Sequence, residues 1–236
     1  MERRLVAEAL GTAFLLAAIV GSGIMAQRLA SGNAGIALLA NTVATGSCLS
    51  ALILTFGAIS GAYFNPAVTL AYALQGALKW REAPAYVAAQ IIGAFTGVAA
   101  AHAMFGMPLF FASRRIRAGS EQIFSEFVAT FGLLSVIWGC ARFRLPAVAL
   151  AVGAYITSAY WFTASTAFAN PAVTLARAAT DTFTGIQAAS TPGFVAAQFA
   201  GALVATALFR WLIPSLRRNT EQIEFPNDKA ETADAR

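Results

Sequence analysis

The sequence predicts an all-α membrane protein with six transmembrane helices and two re-entrant half-helices, arranged as an inverted 3+3 repeat. Three observations lead to this fold class. Apolar residues make up 58% of the 236 residues, and charged residues only 11%. Six apolar stretches are long enough to cross a hydrocarbon core, which takes about 20 helical residues. The third observation is a stretch containing Asn-Pro-Ala that occurs twice, at 60–73 and at 165–178.

The six apolar stretches are interpreted as membrane spans. A membrane β-barrel would alternate apolar and polar residues in segments of about ten, and this sequence does not. Two arginines precede the first stretch, as in a signal peptide, but the stretch is too long for one and contains Glu8. It is therefore taken as the first span. The predicted spans are 5–25, 36–56, 83–105, 123–140, 145–162 and 192–213.

The two Asn-Pro-Ala copies coincide when one is shifted by 105 positions, with identity at every position from Asn65 and Asn170 to Ala71 and Ala176. Asn followed by Pro and good helix formers is typical of an N-cap with proline at the first helical position. Each copy is therefore predicted to open a short helix, at 66–75 and at 171–180. At 1.5 Å per residue, a helix of this length spans only half a bilayer.

Further matches extend the repeat over the chain, because Glu8 corresponds to Glu126 and Gln90 to Gln198. Three spans per unit is an odd number, so the second unit starts from the opposite face of the membrane and the repeats are inverted. The half-helices then enter from opposite faces, and their N-termini meet near the midplane. Non-helical backbone at that depth is tolerated only inside protein or beside a water-filled cavity, so the residues before each Asn should line a pore.

The predicted domain organisation is one channel domain at 1–218, with repeat one at 1–105 and repeat two at 120–213. A polar tail at 219–236 follows and is expected to be disordered. Gly93 and Gly97 form a GxxxG pattern, which suits a close helix crossing.

Two glutamates and two glutamines are among the polar residues in the predicted spans, where an ionisable or amide side chain is costly and usually has a function. We expect them to hold the irregular backbone before each Asn through hydrogen bonds. A proton relay is the alternative. These four residues are Glu8, Glu126, Gln90 and Gln198.

The net charge of +5 could suggest a nucleic-acid partner, but membrane orientation explains it better. With the N-terminus in the cytoplasm, most basic residues fall on the inner side, which predicts that both termini are cytoplasmic. The outer Arg114, Arg115 and Arg117 go against this rule. We expect a solvated loop or tetramer contact there, and a loop folded over the pore mouth is the alternative. The inner residues are Arg3, Arg4, Lys79, Arg81, Arg142, Arg144, Arg210, Arg217, Arg218, Lys229 and Arg236, and the other outer ones are Arg28 and Arg177.

Catalytic and metal chemistry find no support in the sequence. Cys48 and Cys140 both fall in predicted spans, where cysteine is usually a small core residue, so no disulfide is inferred. His102 is the single histidine, without cysteine or carboxylate company, and we expect a packing or interfacial role. No nucleophile–base pair or phosphate-binding loop is found. The protein is predicted not to be an enzyme and to have no cofactor or metal.

The paired Asn-Pro-Ala copies, each after a Ser-containing loop, together with Glu in the first and fourth spans, resemble the aquaporin–glyceroporin family of major intrinsic proteins. The resemblance covers about 5–213. It implies a homotetramer in membrane lipid, in which each subunit passively conducts water or small neutral solutes. Each half-helix start carries roughly half a positive charge and repels cations, while the Asn amides orient a passing oxygen. The pore motif is Asn65, Pro66, Ala67, Asn170, Pro171 and Ala172.

In this family, four positions near the outer mouth set selectivity, and by their spacing from the Asn residues they correspond to Thr45, Ser158, Ala167 and Val173. Family members nearly always have Arg at the last position. Small residues without Arg imply a wide, uncharged constriction, similar to that of the bacterial aquaglyceroporins associated with arsenic resistance. That resemblance implies passage of arsenous acid and other neutral metalloid hydroxides, methylated arsenicals, glycerol-like polyols and water, in a bacterial cytoplasmic membrane.

Three alternatives stay open. An orthodox water channel with an unusual outer filter is the first. A coupled transporter built from inverted repeats is the second, and it would need Glu8 and Glu126 as its acidic groups. The third concerns Arg177, which follows Val173 by four residues and so lies one helical turn outward on the same face. Arg177 could guard the outer vestibule, or it could complement the C-terminal end of the short helix, with Asp181 nearby.

Overall fold

The computed structural model describes residues 1–141 and 145–214, and the chain is α-helical throughout these ranges apart from turns and loops. Two short 3-10 turns, Arg177–Ala179 and Ala188–Ser190, supplement the α-helices. The predicted tail at 219–236 and the basic residues Arg142, Arg144, Arg217, Arg218, Lys229 and Arg236 lie outside the described residues. The α-helices are α1 (Glu2–Leu29), α2 (Ala34–Ser60), α3 (Pro66–Gln75), α4 (Ala83–Met104), α5 (Ser120–Cys140), α6 (Leu145–Phe162), α7 (Pro171–Ala176) and α8 (Thr191–Leu212).

Six helices of the described chain correspond to the predicted spans. By length and composition, five of them can cross a membrane, and the apolar stretch Pro146–Phe162 within α6 is shorter. The first two helices continue several residues beyond their predicted apolar stretches, and α2 ends at the buried Ser60, whose hydroxyl donates to Glu8.

The two repeats pack in the same way, with α1 crossing α4 and α5 crossing α8. A Cβ built on Gly93 would lie 2.2 Å from the carbonyl oxygen of Ala9, and one built on Gly201 would lie 2.5 Å from that of Phe127. Ala9 and Phe127 directly follow the two repeat-related glutamates. Gly97 repeats this close approach one turn later, with its Cβ position 2.2 Å from the Ala13 oxygen. Small residues therefore allow the helix backbones to touch.

The half-helices α3 and α7 begin at capped Asn-Pro pairs and contact each other in the protein interior. The Oδ1 atom of Asn65 accepts a hydrogen bond from the backbone N–H of Ala67 at 2.9 Å, and that of Asn170 accepts one from Ala172 at 3.0 Å. Helix α3 has the predicted bounds. The prediction of 171–180 for the second half-helix is wrong, because α7 ends at Ala176 and the chain then tightens into a 3-10 turn.

The long connection between α4 and α5 folds back over the segment that follows α7. Backbone N–H groups of Phe111 and Ser113 donate to the carbonyl oxygens of Ala179 and Ala178, at 3.1 and 2.9 Å. His102, which is fully buried, anchors the same region: its Nδ1 lies 2.8 Å from the Leu109 oxygen and its Nε2 lies 2.7 Å from the Thr180 hydroxyl. This connection therefore packs beside the end of the fold where α7 terminates.

Candidate pore and its lining

A cavity runs lengthwise between the two repeats. On α2 and on α6 its lining residues recur every four positions, and such a spacing keeps them on one helix face. Twelve residues separate the first and last lining position of each helix, which corresponds to about 18 Å of helix. The cavity therefore extends through much of a membrane thickness. This face consists of Thr45, Leu49, Ile53 and Gly57 on α2 and of Val148, Val152, Ile156 and Tyr160 on α6.

Asn65 and Asn170 both line the cavity at its centre, where the two half-helices meet. The Nδ2 amide of Asn65 donates to the carbonyl oxygen of Ala169 at 2.7 Å, and that of Asn170 donates to the oxygen of Phe64 at 2.8 Å. Each Asn is thus tied to the loop before the other. A carboxamide carries two N–H donors, so one donor of each amide remains for a molecule in the cavity.

The loops before Asn65 and Asn170 have a strained backbone. Ala62 and Phe64 in the first loop have φ of 51° and 50°, and Ala167 and Ala169 in the second have 46° and 49°. Residues with a side chain rarely adopt this left-handed conformation. The surrounding hydrogen bonds must therefore hold both loops in place.

Two buried carboxylates supply those hydrogen bonds. Glu8 accepts from the backbone N–H groups of Tyr63 and Phe64 at 3.0 and 2.7 Å, and also from the Ser60 hydroxyl at 2.6 Å. Glu126 accepts from the backbone N–H groups of Phe168 and Ala169, both at 2.9 Å. Both side chains are fully buried, and neither lines the cavity.

Two buried glutamines complete this arrangement. The Nε2 amide of Gln90 donates to Glu8 and to the hydroxyl of Thr69, both at 2.8 Å. Gln198 donates to Glu126 at 2.6 Å and to Thr174 at 2.8 Å. Each threonine hydroxyl in turn donates to the carbonyl oxygen of the Asn that caps its half-helix. The two repeats therefore hold their Asn residues by the same chain of contacts.

One end of the cavity is lined by three of the four positions inferred from spacing, namely Thr45, Ala167 and Val173. It is called the outer end below, after the orientation that the sequence predicts. The expectation for Ser158 is wrong. Ser158 is exposed on the face of α6 that points away from the cavity, beside Ala154 and Trp161. Its hydroxyl donates to the Tyr155 carbonyl oxygen at 2.8 Å.

Tyr160 lines the cavity where Ser158 was expected, and its hydroxyl lies 3.4 Å from that of Thr45. Position 158 is two residues from both Ile156 and Tyr160, and two residues turn a helix by about 200°, so its side chain points away from the cavity. The sequence does contain a signal for Tyr160, because large apolar residues recur every four positions from Val148 to Tyr160.

Arg177 is buried, with 2% of its surface exposed, and lines the outer part of the cavity. Its Cζ lies 3.4 Å from the centroid of the Phe168 ring, and its Nε donates to the Thr184 carbonyl oxygen. One terminal nitrogen, Nη1, is buried without a hydrogen-bond partner among the described residues. The side chain thus carries a free donor at the level of the outer mouth.

The outer arginines occupy three different environments. Arg117 reaches the loop before Asn170, where its guanidinium donates to the carbonyl oxygens of Gly185 at 2.9 Å and Ser165 at 3.2 Å. Burial lowers the pKa of Arg117 to about 10, so it stays charged at neutral pH. Arg115 lies over the Phe183 ring at 5.7 Å.

Arg114 pairs with Asp181 at 2.9 Å, and its side chain is 91% exposed. Hydrogen bonds from the backbone N–H and side chain of Arg114 lower the pKa of Asp181. Asp181 is therefore partnered by Arg114. Among the described residues, no group of three or more His, Cys, Asp or Glu side chains could hold a metal ion.

The sequence is similar to those of known membrane channel proteins. Residues 1–144 and 140–235 match the family described as "Major intrinsic protein". The chain is 54% identical over 217 residues to aquaglyceroporin AqpS of Rhizobium meliloti (strain 1021), covering 92% of this chain and 93% of that protein. It is 35% identical over 180 residues to aquaporin NIP1-3 of Oryza sativa subsp. japonica, covering 73% of this chain and 62% of that protein.

A solved structure is similar in fold. The aquaglyceroporin from Plasmodium falciparum superposes with a TM-score of 0.73 at 22% identity, and the match covers 91% of this chain and 98% of that one. Similarity at this level of identity bears on the fold alone, and it agrees with six spans and two half-helices.

Proposed function

Because this chain belongs to the major intrinsic protein family, whose members are membrane channels, we propose that it is a passive channel for small neutral solutes as well as water. The observation that carries the proposal is the outer end of the cavity, where Val173 stands at the position that the family usually gives to Arg. A valine there leaves a wall without charge. Solutes larger than water then have more room, and a neutral solute meets no fixed charge at that position.

The proposed solutes are neutral metalloid hydroxides such as arsenous acid, methylated arsenicals and glycerol-like polyols. A neutral molecule with several hydroxyl groups needs several hydrogen-bond partners along its path. Thr45 and Tyr160 offer hydroxyls at the outer end, and the free amide donors of Asn65 and Asn170 offer two more groups at the centre. The remaining wall is largely apolar, which suits the C–H or methyl surface of such solutes. The similarity to a bacterial aquaglyceroporin supports the polyol part of this proposal.

Exclusion of cations is proposed to depend on the half-helix N-termini and on Arg177. Two helix starts that meet at the centre concentrate partial positive charge there. Arg177 adds a full charge one turn outward from Val173 on the cavity wall. Thus Arg177 takes over part of the role that the family assigns to the filter arginine.

A coupled transporter is the weaker proposal. Glu8 and Glu126 would have to exchange protons or ions with the pathway, yet backbone N–H groups occupy both carboxylates and neither lines the cavity. An orthodox water channel is the stronger alternative, because the contact between the Tyr160 and Thr45 hydroxyls brings a large side chain to the outer end.

Assembly and orientation are part of the proposal. We place the channel as a homotetramer in a bacterial cytoplasmic membrane with both termini in the cytoplasm. Exposed apolar side chains such as Val43, Leu150 and Trp161 provide surface for lipid or for neighbouring subunits. Cross-linking of the detergent-solubilised protein tests the tetramer, and labelling of single added cysteines tests the orientation.

The deciding experiment compares water, glycerol, sorbitol and arsenite permeation by stopped flow in proteoliposomes. We expect glycerol and arsenite to enter faster than into protein-free liposomes, without dependence on pH gradient or membrane potential. Val173→Trp, which fills the outer end, is the matched blocked control. Water flow with exclusion of every other solute would support the orthodox water channel, and uptake that follows the potential would support the transporter.

A further inference from the structure

An aromatic pair lies at the end of the cavity opposite to Arg177. The rings of Tyr63 and Tyr72 are stacked, with centroids 4.4 Å apart and planes at 29°. Tyr63 precedes Asn65 by two residues, and Tyr72 lies in α3. Both side chains line the cavity.

The pair is held from both sides by other aromatic residues. Tyr72 packs against Trp138 with centroids 4.8 Å apart, and the fully buried indole of Trp138 donates to the Thr206 hydroxyl at 3.2 Å. Tyr63 packs against Tyr86 at 5.6 Å. Both Tyr rings therefore have fixed neighbours and form a rigid part of the cavity wall.

These contacts place the pair at the inner end. Tyr86 lies near the start of α4, and the Cζ of Arg4, near the start of α1, lies 5.2 Å from its ring centroid. Trp138 lies in the last turn of α5. Thr45 and Tyr160 mark the other end of the same cavity. A solute that crosses the pore must pass both the central Asn residues and this pair.

The phenol hydroxyls of Tyr63 and Tyr72 differ from those of the other tyrosines in their hydrogen bonding. Three of the chain's five tyrosines, Tyr86, Tyr155 and Tyr160, donate a hydrogen bond through their hydroxyl groups. Tyr63 and Tyr72 have no such partner among the described residues. A tyrosine usually finds a partner for its hydroxyl when it is buried. In the cavity, that partner can be a passing solute.

Among the described residues, the cavity wall around the two hydroxyls is apolar. The neighbouring wall is formed by aliphatic side chains and glycine. Ring faces pack well against C–H groups, while the hydroxyls can donate to and accept from an oxygen. A mostly apolar wall with a few convergent polar groups is the usual chemistry of a small-molecule site. The other lining residues at this end are Ile53, Gly57, Ala77, Ile137, Ala141 and Val148.

We propose that Tyr63 and Tyr72 form a second selectivity site, at the inner end of the pore, that favours neutral polyols over solutes without C–H surface. A polyol places its C–H groups against the cavity-facing side of the ring pair and its hydroxyl groups on the two phenols. The site rests on the proposed solute channel. It adds a determinant of selectivity on the side of the Asn pair away from Thr45 and Val173.

The test compares glycerol with urea, a neutral solute without C–H groups, in proteoliposomes that hold wild type, Tyr72→Leu or Tyr72→Phe. Tyr72→Leu removes both ring and hydroxyl, whereas Tyr72→Phe removes one hydroxyl and keeps the ring. We expect Tyr72→Phe to lower glycerol and urea permeability alike, by about threefold to tenfold, because either solute can bond the lost hydroxyl. The ratio of glycerol to urea permeability should fall in Tyr72→Leu, which removes the ring that contacts the C–H groups of the polyol. Water permeability is measured in parallel, because a purely structural role would change all three permeabilities together.

An unchanged glycerol-to-urea ratio in Tyr72→Leu, with water flow intact, would overturn the inner site and leave the proposed function standing. If the wild type passes water but neither glycerol nor urea, the proposed function itself fails. Should Tyr72→Leu not reconstitute, Tyr63→Leu decides by the same ratio, because it removes the other ring of the pair. Tyr155→Phe, which removes a hydroxyl bonded to Ala129 away from the cavity, is the matched control.

Discussion

Arg177 and Phe168 form a close cation–π contact at the outer mouth, with the guanidinium carbon 3.4 Å from the ring centroid. Arg117 approaches the same ring at 5.1 Å. One aromatic ring therefore contacts two cations, of which Arg177 reaches the cavity. A desolvated cation–π contact is worth about 2 kcal/mol. This contact fixes a positive charge one turn outward from Val173. Family members usually carry that charge at the position of Val173 itself.

Removal of this charge should raise proton and cation leak. A unit charge about 4 Å away at an effective dielectric constant of about 20 contributes about 4 kcal/mol, so even part of this energy predicts an increase of about tenfold or more in Arg177→Ala. Arg177→Lys keeps the charge and should leak much less. Proton flux is measured with a pH-sensitive dye trapped in proteoliposomes. Arg114→Ala, which alters an exposed side chain, is the control.

Equal leak in wild type and Arg177→Ala would mean that the half-helix N-termini are sufficient to exclude cations. A similar rise in Arg114→Ala would indicate a general effect of outer charge instead of a specific guard.

Replacement of Glu126 by Gln should destabilise the fold. Gln would place an amide N–H group against backbone N–H donors of the strained loop before Asn170. Buried unsatisfied groups cost about 1–3 kcal/mol each, and a loss of about 2–4 kcal/mol corresponds to a melting temperature lower by about 5–15 °C. Thermal unfolding in detergent measures this shift. Glu8→Gln should behave alike, and Glu121→Gln, at an exposed position, should not shift the melting temperature.

A melting temperature that stays constant in both Glu8→Gln and Glu126→Gln would contradict the view that the carboxylates hold the loops. A change in only one of them would show that the two repeats are not equivalent in stability.

Tryptophan substitutions on α6 distinguish the cavity face from the outer face. Ile156 lines the cavity and Ser158 does not. Ile156→Trp should therefore lower water and glycerol permeability together, by about tenfold, since the added side chain overfills the lumen. Ser158→Trp should leave both permeabilities close to wild type. Stopped-flow measurement at equal protein density is the readout, and block by Ser158→Trp would restore the spacing-based assignment.

Glycines at the helix crossings should be intolerant of even one added methyl group. In Gly93→Ala, the new Cβ would meet the Ala9 carbonyl oxygen, a backbone atom that cannot move aside easily. Overpacking of this kind costs about 1–3 kcal/mol. Gly201→Ala in the second repeat should cost a similar amount. Gly139→Ala is the control, since its Cβ would lie 3.6 Å from a Phe209 ring atom, an ordinary contact.

The stabilities of these variants are compared by their melting temperatures in detergent. Gly139→Ala should melt at a higher temperature than Gly93→Ala and Gly201→Ala. If Gly139→Ala proves less stable than Gly93→Ala, then backbone proximity at the crossing is not what limits these positions.

Much of the fold could be predicted from the sequence, because its determinants are local. A span needs about 20 apolar residues, a half-helix begins at Asn-Pro, and an odd number of spans inverts the second repeat. The correspondence of Glu8 with Glu126 was likewise visible in the chain. Helix α7 was predicted too long, because the segment after Ala176 bonds both to the connection between α4 and α5 and to residues further along the chain.

The lining of the pore was decided by the tertiary structure. Counting residues from Asn170 fixes a distance along the chain, but the rotation of α6 about its axis depends on its packing against α2 and α5. That rotation turned Ser158 outward and brought Tyr160 to Thr45. Stacking of Tyr63 on Tyr72, and the contact of Arg177 with Phe168, also join residues whose proximity no local pattern encodes.

The sequence by itself therefore determined that this chain is a membrane protein with inverted repeats and two central Asn residues, because composition and helix capping act over a few residues. Only the tertiary structure decided which side chains face the solute, because helix rotation and loop path follow from packing between segments far apart in the chain.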